Sequence, residues 1–75
     1  MPPLPSRPGA DVVRALEKAG FKLLRVKGSH HMLTGLGGRF VVVPVHAGKD
    51  VPPGTLRRII RDADLSVEQF IELLP

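Results

Sequence analysis

The stretch VKGSHHML, residues 26–33, sets two imidazoles side by side, directly after a Gly-Ser pair and a lysine. Histidine is the side chain whose ordinary pKa lies nearest neutrality, so it can both take up and return a proton near pH 7. Two cations, Lys27 and Arg25, precede His30. Nearby positive charge disfavours the imidazolium form, and the same cations can hold a phosphate. A neutral imidazole next to a held phosphate suits one reaction in particular. It can take the proton of a ribose 2′-hydroxyl as that oxygen attacks its own 3′-phosphate. General acid–base catalysis of this kind contributes typically about 10²–10⁴-fold. The plain alternative is a surface histidine beside a turn, and the residues alone leave both readings open.

The elements around the pair decide which imidazole can act. Alternate residues of a strand point to opposite faces, so His30 and His31 must part. FKLLRVK (21–27) and HHMLT (30–34) read as strands joined by Gly28-Ser29, a two-residue link with glycine first, which signals a type II′ hairpin. That register sets Lys27 opposite His30, Val26 opposite His31 and Arg25 opposite Met32. RFVVVPV (39–45) is a third strand, reached through GLGG. If that turn is symmetric, Thr34 pairs with Arg39 and Leu33 with Phe40. One face then collects Leu24, Val26, His31, Leu33, Phe40 and Val42, a core face holding one imidazole. The other collects Arg25, Lys27, His30, Met32, Thr34, Arg39, Val41 and Val43. A slip of one residue would exchange the faces of a strand.

Helices flank the strands. In ADVVRALEKA (10–19), Val12, Ala15, Leu16 and Ala19 make one apolar stripe, and Gly20 is the expected stop. A second helix starts near Pro53, a residue suited to a first helical position, with Leu56, Ile59, Ile60 and Ala63 as its stripe. A third follows Ser66, which with Gln69 matches a capping box. The expected architecture is α+β, in the order α-β-β-β-α-α. Residues 1–9, with four prolines, read as an extended or mobile lead-in to a single domain over 10–75.

Other chemistries are less supported. His30, His31 and His46 lack a tight ligand spacing and the first two diverge, so no metal and no cofactor is expected. Ser29 adjoins His30 but does not face it, which argues against a serine nucleophile. An anion is accommodated at the helix opening Pro53-Gly54-Thr55, where amide N–H groups are free. Arg57, Arg58 and Arg61 extend that positive field. With Lys22, Lys27, Arg39 and Lys49 they form a candidate surface for nucleic acid, one that would bind phosphate without reading sequence. Taken singly, each arginine is also an ordinary solvated residue.

The chain has 75 residues, a formal net charge of +4 and no cysteine, with a sequence pI of about 10.4. Such a balance favours anionic partners, nucleic acid above all, with simple solubility as the rival account. The lack of cysteine excludes a disulfide framework and cysteine-based zinc sites, and it suits the cytoplasm. No apolar run reaches the roughly 18 residues of a membrane span. The opening MPPLPSRPG has no apolar core of a signal peptide. Only three phenylalanines represent the aromatics, so base-stacking platforms are not expected.

LEKAGFKLLRVKGSHHML, followed by VVVPVHAGKDVPPGTLRRIIRDADLSVEQFIELL, resembles the HicA family, the small toxins of HicBA toxin–antitoxin systems (the YcfA-like group). The likeness covers about residues 10–74. It rests on the AGF after the first helix, the G-S-H turn, Pro44 with His46, and the G-T-L at Gly54, Thr55 and Leu56. The resemblance implies a fold like a double-stranded RNA-binding domain, with helices on one side of a three-stranded antiparallel sheet. It also implies an endoribonuclease that cleaves mRNA and is silenced by a HicB-like antitoxin protein. The family's active histidine follows the Gly-Ser pair, which assigns the role to His30, presented by Gly28 and Ser29. His46 matches a recurrent position and is a candidate auxiliary group. An apolar patch of Val41, Val43 and Met32 on the outer face would be covered by the antitoxin or by a second copy of the chain. A non-catalytic RNA-binding module of the same fold is the alternative function.

Overall fold

The computed structural model describes residues 3–75, so Met1 and Pro2 of the expected lead-in lie outside the described residues. The elements are α1 (Gly9–Lys18), β1 (Lys22–Lys27), β2 (His30–Thr34), β3 (Phe40–Pro44), α2 (Pro53–Asp62) and α3 (Val67–Leu73), with a short 3₁₀ turn over Leu36–Gly38. The strands form one antiparallel sheet in the order β1-β2-β3. This is the α+β fold and element order expected from the sequence.

Each helix end has a local cause. After α1, Gly20 takes φ +102°. The Gly20 N–H then donates to the Glu17 carbonyl and the Phe21 N–H to the Leu16 carbonyl, both at 3.0 Å. These two bonds are the Schellman arrangement that turns the chain out of a helix. The same pair of bonds closes α2, from Asp64 to Arg61 and from Leu65 to Ile60. There the left-handed position is held by Asp64 at φ +58°, the one non-glycine with positive φ among the described residues. The start of α3 is the expected capping box: Ser66 Oγ accepts from the Gln69 N–H, and Gln69 Oε1 accepts from the Ser66 N–H.

The core lies between the helices and one face of the sheet. Val12, Ala15 and Leu16 of α1, Leu56, Ile59 and Ile60 of α2 and Phe70 of α3 bury there against Leu33, Val41 and Val43. Val13, Phe21, Val51 and Ala63 complete it. In α3 the apolar spacing Val67, Phe70, Ile71 and Leu74 holds except at Ile71, which is exposed, while Leu73 also packs on this core.

The β2–β3 register corrects the sequence expectation. Thr34 pairs with Phe40, Leu33 with Val41, Met32 with Val42, His31 with Val43 and His30 with Pro44. Five residues, 35–39, separate the strands, and the Gly35 N–H donates to the Arg39 carbonyl at 2.9 Å. Gly37 and Gly38 both take positive φ inside this loop. One residue more than a symmetric four-residue turn moves every β3 side chain to the other face. Val41 and Val43 therefore join the core, and the exposed patch expected from them does not exist. Phe40 and Val42 belong to the outer face instead, Phe40 half exposed. Arg39 precedes β3 and takes no part in the ladder. A bulge between Leu23 and Arg25 likewise sets Leu23, in place of Leu24, opposite Leu33.

Part of the lead-in is tied to the domain. Pro8 bridges to Asp50, the Val51 N–H donates to the Arg7 carbonyl at 2.9 Å, and Leu4 packs on the core. Helix α1 begins at Gly9, one residue earlier than its apolar stripe suggests.

Two glycines are held by close packing. A Cβ on Gly9 would collide with the Pro44 carbonyl oxygen, and one on Gly35 would lie 2.7 Å from the buried Phe21 ring. Gly35→Ala and Gly9→Ala should each cost about 1–3 kcal/mol, as overpacking does. Each kcal/mol corresponds to a fall of about 4–8 °C in melting temperature for a domain of this size. Gly54→Ala meets nothing within 4 Å and should leave the melt unchanged or slightly raised. Thermal melts by circular dichroism check all three.

Candidate active site

The hairpin presents His30 as its spacing requires. Gly28 takes φ +60° while Ser29 stays at negative φ, the pattern of a type II′ turn. Lys27 then pairs with His30, Val26 with His31 and Arg25 with Met32, all as expected. Directly paired residues share a face, so Lys27 and His30 stand side by side on the side of the sheet that carries no helix. His30 is exposed, as are Lys27 and Arg25.

One end of the sheet gathers further candidate groups. The Val45 N–H donates to the Ser29 carbonyl at 2.7 Å, which ties the hairpin turn to the chain leaving β3. His46, the next residue, is exposed at that same end, and the Lys49 N–H donates to the His46 carbonyl at 3.1 Å. His30, Ser29, Lys27 and His46 are thus brought to one corner from two separate segments. Among the described residues, no three of His, Asp or Glu converge as a metal site would require.

The remaining cations lie elsewhere. Arg57, Arg58 and Arg61 line an open groove of about 570 Å³ together with Gly54, Asp64, Ser66 and Glu68, and no residue of the sheet lines it. The first turn of α2 has neither an acidic residue nor a capping side chain, which leaves the Gly54 and Thr55 amides uncapped. Arg39 does not reach the outer face. Its guanidinium pairs with Asp64 at 3.1 Å, joining the β3 entrance to the end of α2. Arg61 lies 4.0 Å from the neighbouring carboxylate of Asp62. The basic residues therefore form two regions, one beside His30 and one on the solvent side of α2.

His31 points inward, paired with Val26 and Val43. Its Nδ1 is enclosed and has no hydrogen-bond partner. The outward position of Phe40, beside Thr34, is the feature that sequence reasoning missed. The signal was available only in the loop length, because a strand with three consecutive valines shows no alternation that would fix its register.

A family model described as the HicA toxin of bacterial toxin–antitoxin systems matches residues 9–65. The chain belongs to the HicA toxin family. The match begins with the first residue of α1 and ends just past α2, so it contains the hairpin, His30 and His46, while α3 lies outside it. No curated protein matches the chain. As a HicA-family toxin the protein is one component of a toxin–antitoxin system, and among its described residues no helix is long and apolar enough to cross a membrane.

The contrast between the two histidines of this HicA-family chain is open to measurement. His31→Leu replaces an enclosed, unpartnered nitrogen by carbon. It should leave stability unchanged or raise it by up to about 1 kcal/mol, since an unmet buried polar atom is costly. Urea denaturation reads the difference. A clear loss of stability in His31→Leu would mean that Nδ1 has a hydrogen-bond partner, such as a bound water.

Proposed function

We propose that the protein is a metal-independent endoribonuclease that cleaves mRNA, with His30 as the catalytic acid–base group. The observation that carries this reading is the exposed His30 imidazole paired directly with Lys27, with Arg25 one row along the same face. His30 takes the proton from a ribose 2′-hydroxyl. The 2′-oxygen attacks the adjacent phosphorus, and the bond from phosphorus to the 5′-oxygen breaks. That oxygen leaves with a proton, and the products are a 2′,3′-cyclic phosphate and a 5′-hydroxyl. Lys27 and Arg25 bind the non-bridging oxygens, where negative charge grows in the transition state. His46, Ser29 and water are the candidate donors to the leaving oxygen. Gly28 and Ser29 supply the turn that holds His30 outward.

The expected partner is a HicB-like antitoxin, since the family is one half of a paired system. A protein covering the outer face would exclude RNA from His30 sterically. Self-association of the chain through that face is the competing arrangement. The cytoplasm, where mRNA is found, is the expected compartment.

A binding-only function has one observation in its favour. The arginines of α2 line a groove that holds none of the residues near His30, so RNA retention there needs no catalysis. The two readings separate cleanly. Purified wild type should cut RNA in the presence of EDTA, and His30→Ala should lower the rate by about 10²–10⁴-fold while still binding RNA. Cleavage that persists in the variant removes His30 from the mechanism, and a wild type that binds without cutting leaves the binding module. Replacing Arg57, Arg58 and Arg61 by glutamate should weaken RNA binding under either reading and flatten its salt dependence.

A further inference from the structure

The outer face of the sheet sorts its side chains by strand. Three cross-strand rows lie on it: Lys27-His30-Pro44, Arg25-Met32-Val42 and Lys22-Thr34-Phe40. The β1 column is wholly cationic and the β3 column wholly apolar, with His30 in the column between them. An irregularity in β1 creates this order. Lys22 and Arg25 are three residues apart and would face opposite ways in a regular strand. The bulge at Leu24 brings both to the outer face, which is the kind of re-aiming that bulges provide.

We propose that this face is a track for single-stranded RNA, with phosphates along the β1 cations and bases over the β3 column, one of them stacked on Phe40. The inference rests on the ribonuclease reading of His30 and extends it to the nucleotides beside the cleaved bond. Rows two residues apart are separated by about 6.8 Å, close to the step of one nucleotide in an extended strand. Strands β1 and β3 lie about 9.6 Å apart across β2, close to the width of a nucleotide from phosphate to base. Among the described residues the ion pairs engage Arg7, Arg39 and Arg61, which leaves Lys22, Arg25 and Lys27 available to phosphate.

Phe40 is the element that points to unpaired bases. Of the three phenylalanines, Phe21 and Phe70 are buried and Phe40 is 50% exposed. A duplex hides its base faces inside its own stack, whereas a single strand offers them to an aromatic ring. Phe40 lies two rows from His30 and one from Arg25, so the base stacked on it belongs to a nucleotide one to two steps from the scissile phosphate that Lys27 and Arg25 share.

The test uses a short single-stranded RNA with 2′-O-methyl riboses, which cannot be cut, carrying 2-aminopurine as a stacking reporter. Wild type should bind it and quench the fluorophore at one position. Phe40→Ala should lower affinity roughly 5- to 150-fold, the range that base–aromatic stacking supplies, and abolish the quenching. Phe40→Tyr should restore both, and Phe40→Leu, which keeps the apolar bulk, should restore neither. Lys22→Gln should reduce the slope of log affinity against log salt by about 0.7, one phosphate of a single strand. Binding of the same sequence as a duplex should not respond to Phe40.

Unchanged affinity and quenching in a folded Phe40→Ala would overturn the track. So would an effect of Phe40→Ala confined to self-association, read by sedimentation, which would make the column a contact between copies. The two levels of the argument fail separately. Stacking without any cleavage of ordinary RNA by the wild type retains the track and removes the ribonuclease. His30-dependent cleavage with no effect of Phe40 or Lys22 does the reverse.

Discussion

Two neighbouring residues on a paired strand cannot share a face, and that restriction organises this molecule around β2. As the central strand, β2 has its register set from both sides. On one side the Gly28-Ser29 turn fixes it, because only a residue free to take φ +60° closes the chain in two steps. On the other side Leu33 is wholly buried between Leu23 and Val41. Shifting β2 by one residue would bring Leu33 into water and His30 under the helices. Burial of a leucine is worth about 1.5–3 kcal/mol, so the core itself enforces the outward position of the imidazole. The outward position of His30 is thus a consequence of packing one side chain away.

The parts of the fold legible in the sequence are those whose cause is local. The stripes of α1 and α2, the Gly20 stop, the Ser66–Gln69 cap and the hairpin pairing of Lys27 with His30 each depend on residues within a few positions of one another. Three features depended on something else. The loop 35–39 is one residue longer than a symmetric reading of its glycines, and no alternation in FVVVP exposes the error. The bulge at Leu24 has no proline or glycine to announce it. Asp64 holds a left-handed position that glycine would usually fill, and its ion pair with Arg39 joins residues far apart in the chain. Each of these moved a residue: Phe40 outward, Lys22 into line with Arg25, and Arg39 away from the face on which it was expected.

Electrostatics divides the protein more sharply than its net charge suggests. The cations of α2 face solvent on the far side of a helix whose inner side packs on the sheet, and those of β1 stand beside His30. At physiological salt the screening length is about 8 Å, and the thinnest dimension of the molecule is 21 Å. The two regions lie on opposite sides of the domain. Charge on β1 sets the local potential at the His30 imidazole.

An uncovered sheet face and a six-residue edge strand with every residue exposed are a hazard for a small domain, because a free edge invites pairing with another chain. Strand β1 resists this by composition. If two copies of β1 met antiparallel about their midpoint, Lys22 of each would oppose Lys27 of the other, and like charges placed opposite destabilise a pair. The bulge at Leu24 breaks the regular edge further. On the other side, β3 is short and ends in Pro44, which has no N–H to offer. The cations that keep β1 from pairing with itself are the same ones that stand over the outer face with His30. A single composition thus discourages self-pairing along the edge while holding positive charge beside the imidazole. A surface bearing carboxylates, laid over this strand, would oppose Lys22, Arg25 and Lys27 and neutralise the positive charge beside His30.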